Sequence, residues 1–434
     1  MASLAVLLIA LGCAALQFFK GTFVKALVAI VIAIISGIVS FGFFEAAANM
    51  IISRGDSGTL LSLAPWAQTL CFILIFIVVF ALLQTGAIYL LHEQIDFGEL
   101  AEYIGRAVCG LVLGFIISGF LLTAIAMGPL PLKYPYQRFD PRSVKPNDPK
   151  GVLLSADGFA TGLFSLVSKG SLSGKRSFAT IHPNYLDQLF FNRLIKTDTI
   201  SIISSKFPAI TVSRKATVWD APKAISDQAN ALIGELRSGG GRIKTADNKT
   251  VSLPISTASG DIKIVRVGLL SRAFKGNAKI NGAAFTLSQL RLICTRRGSG
   301  QDRLTGDAIN VYPIGHLKTA DQIQVASEVR VEPQDFDGNE RFIDFVFNVP
   351  SGHEPVLIEY KMNSIVEIAP MAIVTDSSNI PAPATFNSTS GGGGNRSRNN
   401  RNRAQRSPSE ASPGRRPGLS DTSRSIVGPD FDEE

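Results

Sequence analysis

Four apolar runs near the start of the chain constrain its fold more than any other feature. They cover residues 2–19, 22–44, 65–91 and 107–127. An α-helix needs about 20 residues to cross the hydrocarbon core of a bilayer, and each run reaches or nearly reaches that length. Residues 1–132 also contain only four basic and six acidic side chains. The sequence therefore predicts four transmembrane helices in residues 1–130 and excludes a purely soluble chain.

Small residues recur along the fourth run. Gly110 and Gly114 form a GxxxG pair, and Gly105 and Ser118 extend the same set of helix-packing candidates. Such residues let two helices approach closely in lipid, so we expect this face to pack against another helix of the same chain rather than to form a dimer. Ionisable residues are missing from the centres of the runs, which argues against an ion-coupled transporter.

A short aromatic and basic turn joins the first two runs, and glycines and one arginine mark the fourth. The residues concerned are Phe18, Phe19, Lys20, Gly21, Thr22, Phe23, Val24 and Lys25, with Gly105, Arg106, Gly110 and Gly114. Four short-looped helices with these two features resemble the colicin V production protein (CvpA-like) family over the first 130 residues. The resemblance implies a multi-pass protein of the bacterial inner (cytoplasmic) membrane with a role in toxin export.

The side of the membrane that holds the rest of the chain does not follow from charge. Counting Lys and Arg near all helix ends favours the cytoplasm, whereas counting only the short loops favours the opposite side. Members of the CvpA-like family carry extracytoplasmic domains behind the four helices, including proteases. The resemblance therefore implies a periplasmic soluble part.

Residues 131–150 form a proline-rich linker, and residues 151–196 show helical spacing. A helix opening near Pro183 would place Tyr185, Leu186, Leu189, Phe190 and Leu194 on one face, where packing against the following domain is favoured over a groove for a partner.

The apolar period changes to two in residues 197–375. Alternation is clear at 322–331, 343–349 and 356–362, and further strand candidates are 199–203, 209–218, 261–270 and 287–294. In the run at 356–362 Ile358 and Tyr360 would face the core, and Leu357, Glu359 and Lys361 would lie on the other face. The pattern predicts a mainly-β, immunoglobulin-like sandwich.

Catalytic and ligand-binding signatures are missing from the sequence. The glycines at 170–175 have the wrong spacing for a phosphate-binding loop, and Leu172 stands where a nucleophile elbow needs its serine. His182 precedes Asp187, but a histidine before Pro183 is more typical of a structural role than of a triad. The four histidines lack metal-ligand spacing, and Cys294 is the one cysteine of the soluble part. We therefore predict a protein that is not an enzyme and has no cofactor.

The segment 376–434 is rich in Ser, Asn, Gly, Pro and Arg and is predicted to be a disordered tail. Its candidate binding residues are seven arginines: Arg396, Arg398, Arg401, Arg403, Arg406, Arg415 and Arg416. Such a polycation suits an anionic polymer or lipid headgroups, and it suits nucleic acid only if the tail is cytoplasmic.

These observations predict an envelope or toxin-export accessory whose non-catalytic sandwich domain is anchored in the inner membrane. Its expected partners are the lipid bilayer and proteins of the envelope or of an export system. Two alternatives remain open at this point. One is a membrane-anchored hydrolase with an unrecognised site in the soluble domain, and the other is a small channel or transporter subunit.

Overall fold

The computed structural model describes residues 2–54, 66–90, 98–131, 133–140, 149–169, 177–194, 209–239, 242–244, 250–252, 255–256, 258–271, 283–286, 290–297, 303–325, 328–336, 338–360 and 364–386. The expected strand at 199–203, the glycine-containing loop at 170–175 and the tail arginines all lie outside the described residues.

Four long apolar helices form the N-terminal part. They are α1 (Ala2–Lys20), α2 (Phe23–Arg54), α3 (Ala67–Leu90) and α4 (Glu99–Met127). All four are long and apolar enough to cross a membrane, so the chain is a multi-pass membrane protein by length and composition, as the sequence predicts. Helix α4 packs against both α1 and α2, and α3 packs mainly against α2.

Three further helices follow the membrane part. A single 3-10 turn (Leu153–Ser155) leads into α5 (Ala156–Ser168), which is followed by α6 (Phe178–Ile181) and α7 (Tyr185–Leu194). Helix α7 begins where Pro183 predicts, and four of its expected inward-facing residues, Tyr185, Leu186, Leu189 and Phe190, are buried. They pack in one cluster with residues of α2, α3 and α4. The three helices thus connect the membrane part to the domain that follows.

The remainder of the described chain is mostly strand. In chain order the strands are β1 (Ile210–Val212), β2 (Val218–Asp220), β3 (Arg242–Lys244), β4 (Thr250–Ser252), β5 (Gly260–Leu270), β6 (Ala283–Thr286), β7 (Leu290–Arg296), β8 (Ala308–Val311), β9 (Pro313–Thr319), β10 (Gln322–Gln324), β11 (Glu328–Val331), β12 (Glu340–Pro350), β13 (His353–Tyr360), β14 (Ser364–Glu367) and β15 (Ile373–Val374).

Two main sheets share one core. The larger has the order β10-β9-β12-β5-β2-β15, with β1 also paired to β5, and the smaller has the order β14-β13-β7-β8. Val265 and Phe345 of the larger sheet and Leu292 and Tyr360 of the smaller are all buried in the same cluster. The expectation of a mainly-β domain after four membrane helices is therefore confirmed.

One helix within this domain was not predicted. Helix α8 (Lys223–Ser238) buries Ile225, Ala229 and Ile233 against the outer face of the larger sheet, beside Trp219 and Ile264. The period-two pattern in residues 197–375 predicts strands and does not predict this helix. The three- and four-residue spacing of its apolar side chains, between Pro222 and Gly239, is typical of an amphipathic helix.

Strand β12 follows the predicted alternation, because Ile343, Phe345 and Phe347 all lie in the shared core. The run at 322–331 is instead divided between β10 and β11, which belong to different sheets.

Strand β13 was expected to have one face in the core and a second face that carries both apolar and charged residues. Only the first part of this expectation describes its burial. Ile358 and Tyr360 lie in the core, but Leu357 and Glu359 on the opposite face are fully buried as well. Helices α6 and α7 cover this side of the smaller sheet, through contacts such as that of Ile181 with the cluster around Leu357. The second face of β13 is therefore an internal junction.

Residues 376–386 belong to the domain rather than to a tail. Asp344 is buried, forms two hydrogen bonds with Arg266 and accepts a third from the backbone N–H of Ala384, at 2.7 Å. Phe386 is buried in the shared core, and its N–H donates to the Leu317 carbonyl at 2.9 Å. The boundary expected at residue 376 therefore moves to the end of this segment, and the tail beyond it lies outside the described residues.

His316 binds the end of this segment and makes the stability of the fold depend on pH. Its Nε2–H donates to the Phe386 carbonyl at 3.1 Å, and burial lowers its pKa to about 4. The unfolded chain takes up this proton below about pH 6.5, whereas the folded chain does so only near pH 4. Stability should therefore fall by roughly 3 kcal/mol as the pH drops through this interval.

His316→Gln keeps a donor but does not titrate, so it should lose less stability on acidification than the wild type does. Unfolding followed by circular dichroism at pH 7 and pH 4 measures the difference. His353→Gln, at a partly exposed histidine, should behave like the wild type. Parallel losses in the wild type and His316→Gln would rule out this role for His316.

Candidate functional site

The candidate site lies where the second half of α2 meets the smaller sheet. Five polar side chains come together there, which we call the junction cluster: Glu45, His182, Gln188, Arg291 and Glu359. They come from α2, the residue after α6, α7, β7 and β13 respectively. His182, Gln188, Arg291 and Glu359 are all buried. The cluster therefore joins a membrane helix to the β-rich domain through buried polar groups.

His182 occupies the centre of the cluster. Its Nε2 lies 2.8 Å from Oε1 of Glu45, and its Nδ1 lies 3.0 Å from Oε1 of Gln188. The Gln188 side chain donates through its Nε2 to the Pro183 carbonyl at 2.7 Å, which orients its oxygen towards the histidine. Both ring nitrogens of His182 thus face oxygen atoms.

Arg291 connects this histidine to the sheet. The two residues Arg291 and Glu359 are direct partners in the register between β7 and β13, and Nη2 of Arg291 donates to Oε2 of Glu359. The same nitrogen donates to the Ile181 carbonyl at 2.8 Å and lies 3.2 Å from Nδ1 of His182. The guanidinium therefore links the chain segment before α7 to the carboxylate of β13.

Asn310 of β8 completes the linkage. It accepts from Nη1 of Arg291 at 2.5 Å and donates to the Pro183 carbonyl at 2.5 Å. The Pro183 carbonyl thus accepts from both Asn310 and Gln188. These bonds position the segment between α6 and α7 over the sheet.

Burial controls the acidity of the groups around Arg291. It raises the pKa of the Glu359 carboxyl, and the neighbouring Arg291 opposes that change. Burial, with the negative charges of Glu45 and Glu359, also raises the pKa of Tyr185 well above its usual value. Tyr185 therefore remains a neutral phenol beside two carboxyl groups.

Several atoms of this site have unused hydrogen-bonding capacity. Within the part of the chain that the structure describes, Oε1 of Glu359, Nε of Arg291 and the hydroxyl of Tyr185 have no hydrogen-bond partner. A buried polar atom left without a partner costs about 1–3 kcal/mol. The cluster is therefore a costly arrangement that depends on the surrounding packing.

Aromatic rings surround the cluster on the membrane side. Phe41 of α2 stacks on Phe164 of α5 at 4.9 Å between ring centroids and also contacts Phe178 and Tyr185. Phe44, one residue before Glu45, is fully buried. These rings keep the polar groups in a low-dielectric environment, in which the attraction between opposite charges is strong.

A second polar group holds the linker against the same helices. Nε of Arg138 donates to Asp187 at 2.6 Å, and Nη1 donates to the hydroxyl of Tyr136 at 3.1 Å. Tyr136 in turn donates to Asp157 of α5. Asp187 thus pairs with Arg138, and the structure does not bring it to His182 as a catalytic triad would require.

The glycines singled out in the sequence lie in the membrane part. A Cβ added at Gly110 or Gly114 would come within 2.5 Å of the Cα of Ala14 or Ala10 of α1. At Gly105 the added atom would meet the ring of Phe23. Ser118 donates within its own helix to the Phe115 carbonyl. These residues therefore mark close helix packing rather than a ligand site.

The sequence analysis did not identify Arg291 and Glu359 as site residues. Arg291 interrupts an otherwise apolar run in β7, and a lone charge inside such a run signals a buried partner. Among the described residues no group of three or more His, Cys, Asp or Glu side chains could hold a metal ion. Comparison of the chain with protein families, curated proteins and solved structures gives no match.

Proposed function

We propose that this chain is a membrane-anchored interaction protein whose β-rich domain is fixed on the helix ends as a rigid platform. The junction cluster supports this function, because Glu45 of α2 pairs with the buried His182, which lies beside the buried Arg291 and Glu359 of β7 and β13. A domain on a flexible tether would not need a polar cluster that continues from a membrane helix into the sheet. A fixed domain would instead present its exposed surface to a partner at a constant height above the bilayer.

The cellular setting belongs to the same proposal. The four helices and the aromatic and basic turn support an envelope or export accessory of the CvpA-like kind in the bacterial inner membrane, with an immunoglobulin-like domain on the periplasmic side. Its partners would be proteins of the envelope or of an export system. The arginine-rich tail stays a predicted site for anionic lipids or polymers.

Fusions placed after Ser390 test the compartment, because this position lies beyond the whole β-rich domain. We expect a phosphatase fused there to be active, because this enzyme becomes active only in the periplasm. A fluorescent protein fused there should stay dark, because it fluoresces only when it remains in the cytoplasm. The same reporters placed after Leu90 should give the reverse result, because Leu90 ends α3 on the side of the membrane opposite to the β-rich domain. Fluorescence at Ser390 would place the domain in the cytoplasm.

Photo-crosslinking in cells tests the platform role. A photoreactive residue at Met371, which is 80% exposed on the β-rich domain, should give a defined protein adduct. The matched control is Leu74, a similarly exposed apolar residue on α3, which should capture lipid. If the domain gives no protein adduct and the full-length chain instead takes up a serine or cysteine hydrolase probe, the hydrolase alternative is favoured.

A further inference from the structure

Helix α5 exposes no polar side chain, and its buried face holds polar residues as well as Ala156, Ala160 and Phe164. Asp157, Thr161 and Ser168 are buried against the protein. Leu166 is 69% exposed, Phe159 is also exposed, and Leu154 of the preceding turn is 79% exposed. A helix at a water-facing surface places its charged and polar side chains outward. The outer face of α5 is therefore suited to an apolar surrounding.

The inward polar groups of α5 are satisfied by protein. Asp157 accepts from Tyr136 and from the N–H of Gly158, and Thr161 donates to the Asp157 carbonyl. Ser168 accepts from the N–H of Ala179. The helix therefore needs no water on this side.

Helix α5 begins beside the apolar part of the membrane helices. A Cβ added at Gly119 of α4 would lie 2.2 Å from the Ala156 carbonyl oxygen. Gly119 precedes the end of α4 at Met127 by eight residues, or about 12 Å along the helix axis. The ring of Phe159 lies 5.7 Å from that of Phe115, which is one turn deeper. The start of α5 is thus level with side chains inside a membrane span.

The same region joins α5 to α1. The N–H of Leu153 donates to Ser3 at 3.2 Å, and Ala156 packs in one cluster with Ala2 and Val6. Leu4 of α1 and Leu121 of α4 are exposed close to this contact in sequence. The outer face of α5 therefore continues the lipid-facing surface of the membrane helices.

The backbone before α5 is strained. Leu154 and Ser155 both have a φ of +51°, in the left-handed region that side chains other than glycine rarely adopt. Residues held in this way need compensation from their surroundings. The turn holds Leu154 on the outer face, where contact with hydrocarbon would supply that compensation.

The other end of α5 lies near water. Lys169, directly after the helix, forms an ion pair with Asp307, whose side chain is largely exposed. A long basic side chain at this end can keep its charge in water while the apolar outer face of the helix stays in hydrocarbon.

We propose that α5 is inserted in the leaflet on the side of the β-rich domain, with Leu153, Leu154, Phe159 and Leu166 in contact with acyl chains. The partner is lipid, so the membrane part of the molecule has a fifth element beyond its four spans.

Lipid quenching in proteoliposomes tests this insertion. Single cysteines at Phe159 and Leu166, in the full-length chain with the four native cysteines changed to serine or alanine, would carry an environment-sensitive fluorophore. We expect lipids brominated on the acyl chain to quench both positions at least twofold, and we expect the unlabelled cysteines to react slowly with a charged thiol reagent. Met371→Cys is the matched control and should react at least tenfold faster without quenching.

Fast reaction and no quenching at positions 159 and 166 would overturn the proposal. Slow reaction without quenching would also overturn it, because a protein surface such as a second copy would then cover α5. A photoactivatable phospholipid, incorporated with the unmodified protein, provides a measurement that does not depend on the cysteine background. Adducts within residues 153–169 are expected, and adducts confined to the four spans would contradict the insertion.

Discussion

Arg291→Met is expected to destabilise the full-length protein by about 3–5 kcal/mol, because it leaves the Glu359 carboxylate buried without its countercharge. Nη2 of Arg291 is the hydrogen-bond donor to Oε2 of that carboxylate, and both side chains are almost completely buried. Loss of the guanidinium also removes the donors to Asn310 and to the Ile181 carbonyl. Equilibrium unfolding of the detergent-solubilised chain, followed by circular dichroism, measures the loss.

Acid should reduce this loss. The pKa of Glu359 is already raised by burial, and the missing arginine would raise it further. Below that pKa the carboxyl is neutral in the folded state and the penalty of a buried charge disappears. The difference between Arg291→Met and the wild type should therefore be smaller at pH 5 than at pH 8.

Two variants separate this explanation from a general effect of losing an arginine. Arg303→Met removes the partner of Glu354, which lies on strand β13 like Glu359, and two donors to backbone carbonyls; both side chains of this pair are about a quarter exposed, so the loss should be about 1–2 kcal/mol. The double variant Arg291→Met with Glu359→Leu replaces the buried charges by apolar side chains and should regain most of the loss. If both single arginine variants lose the same stability, the buried charge is not the cause.

Gly114→Leu is expected to disrupt the packing of α1 on α4, and Gly110→Leu should act in the same way. The contact at each glycine is with helix backbone, which cannot rotate away as a side chain can. Overpacking of this kind costs about 1–3 kcal/mol per site. The combined variant should therefore accumulate less in membranes and lose its folded state at a lower temperature in detergent.

Gly12→Leu is the control within the same helix pair. A Cβ at Gly12 of α1 would meet nothing within 4 Å, so this substitution should leave accumulation and stability unchanged. Unchanged behaviour of the Gly110 and Gly114 variants would show that close approach of the two helices is not required. A change of oligomeric state without loss of stability would instead favour a dimer contact.

The membrane helices could be predicted from sequence because the bilayer requires the side chains of a span to be apolar. A run of about 20 apolar side chains satisfies this requirement, and the four runs match α1 to α4, of which α2 and α4 extend well beyond their runs. Helix α2 continues to Arg54, beyond the expected end at residue 44, and its Glu45 lies 2.8 Å from Nε2 of His182. Hydropathy alone carries no information on such a partner.

Strand alternation predicted the core face of β12 and missed the second face of β13. A period of two shows which side chains point the same way, but it does not show what covers the other side. At Glu359 that cover is Arg291 and the segment before α7. The junction cluster could not be assembled from the sequence, because its members lie on separate elements and only folding brings them together.

The long separation of these residues along the chain has a consequence for synthesis. Glu45 enters the membrane early, whereas Arg291 and Glu359 are made only after more than half of the remaining chain has been added. Domains generally fold in the order in which they are made, and contacts between distant residues form late. The junction cluster must therefore stay incomplete until β13 leaves the ribosome. A chain that stops before β13 would leave Arg291 without its buried carboxylate partner, which gives membrane quality control a direct way to distinguish unfinished molecules from complete ones.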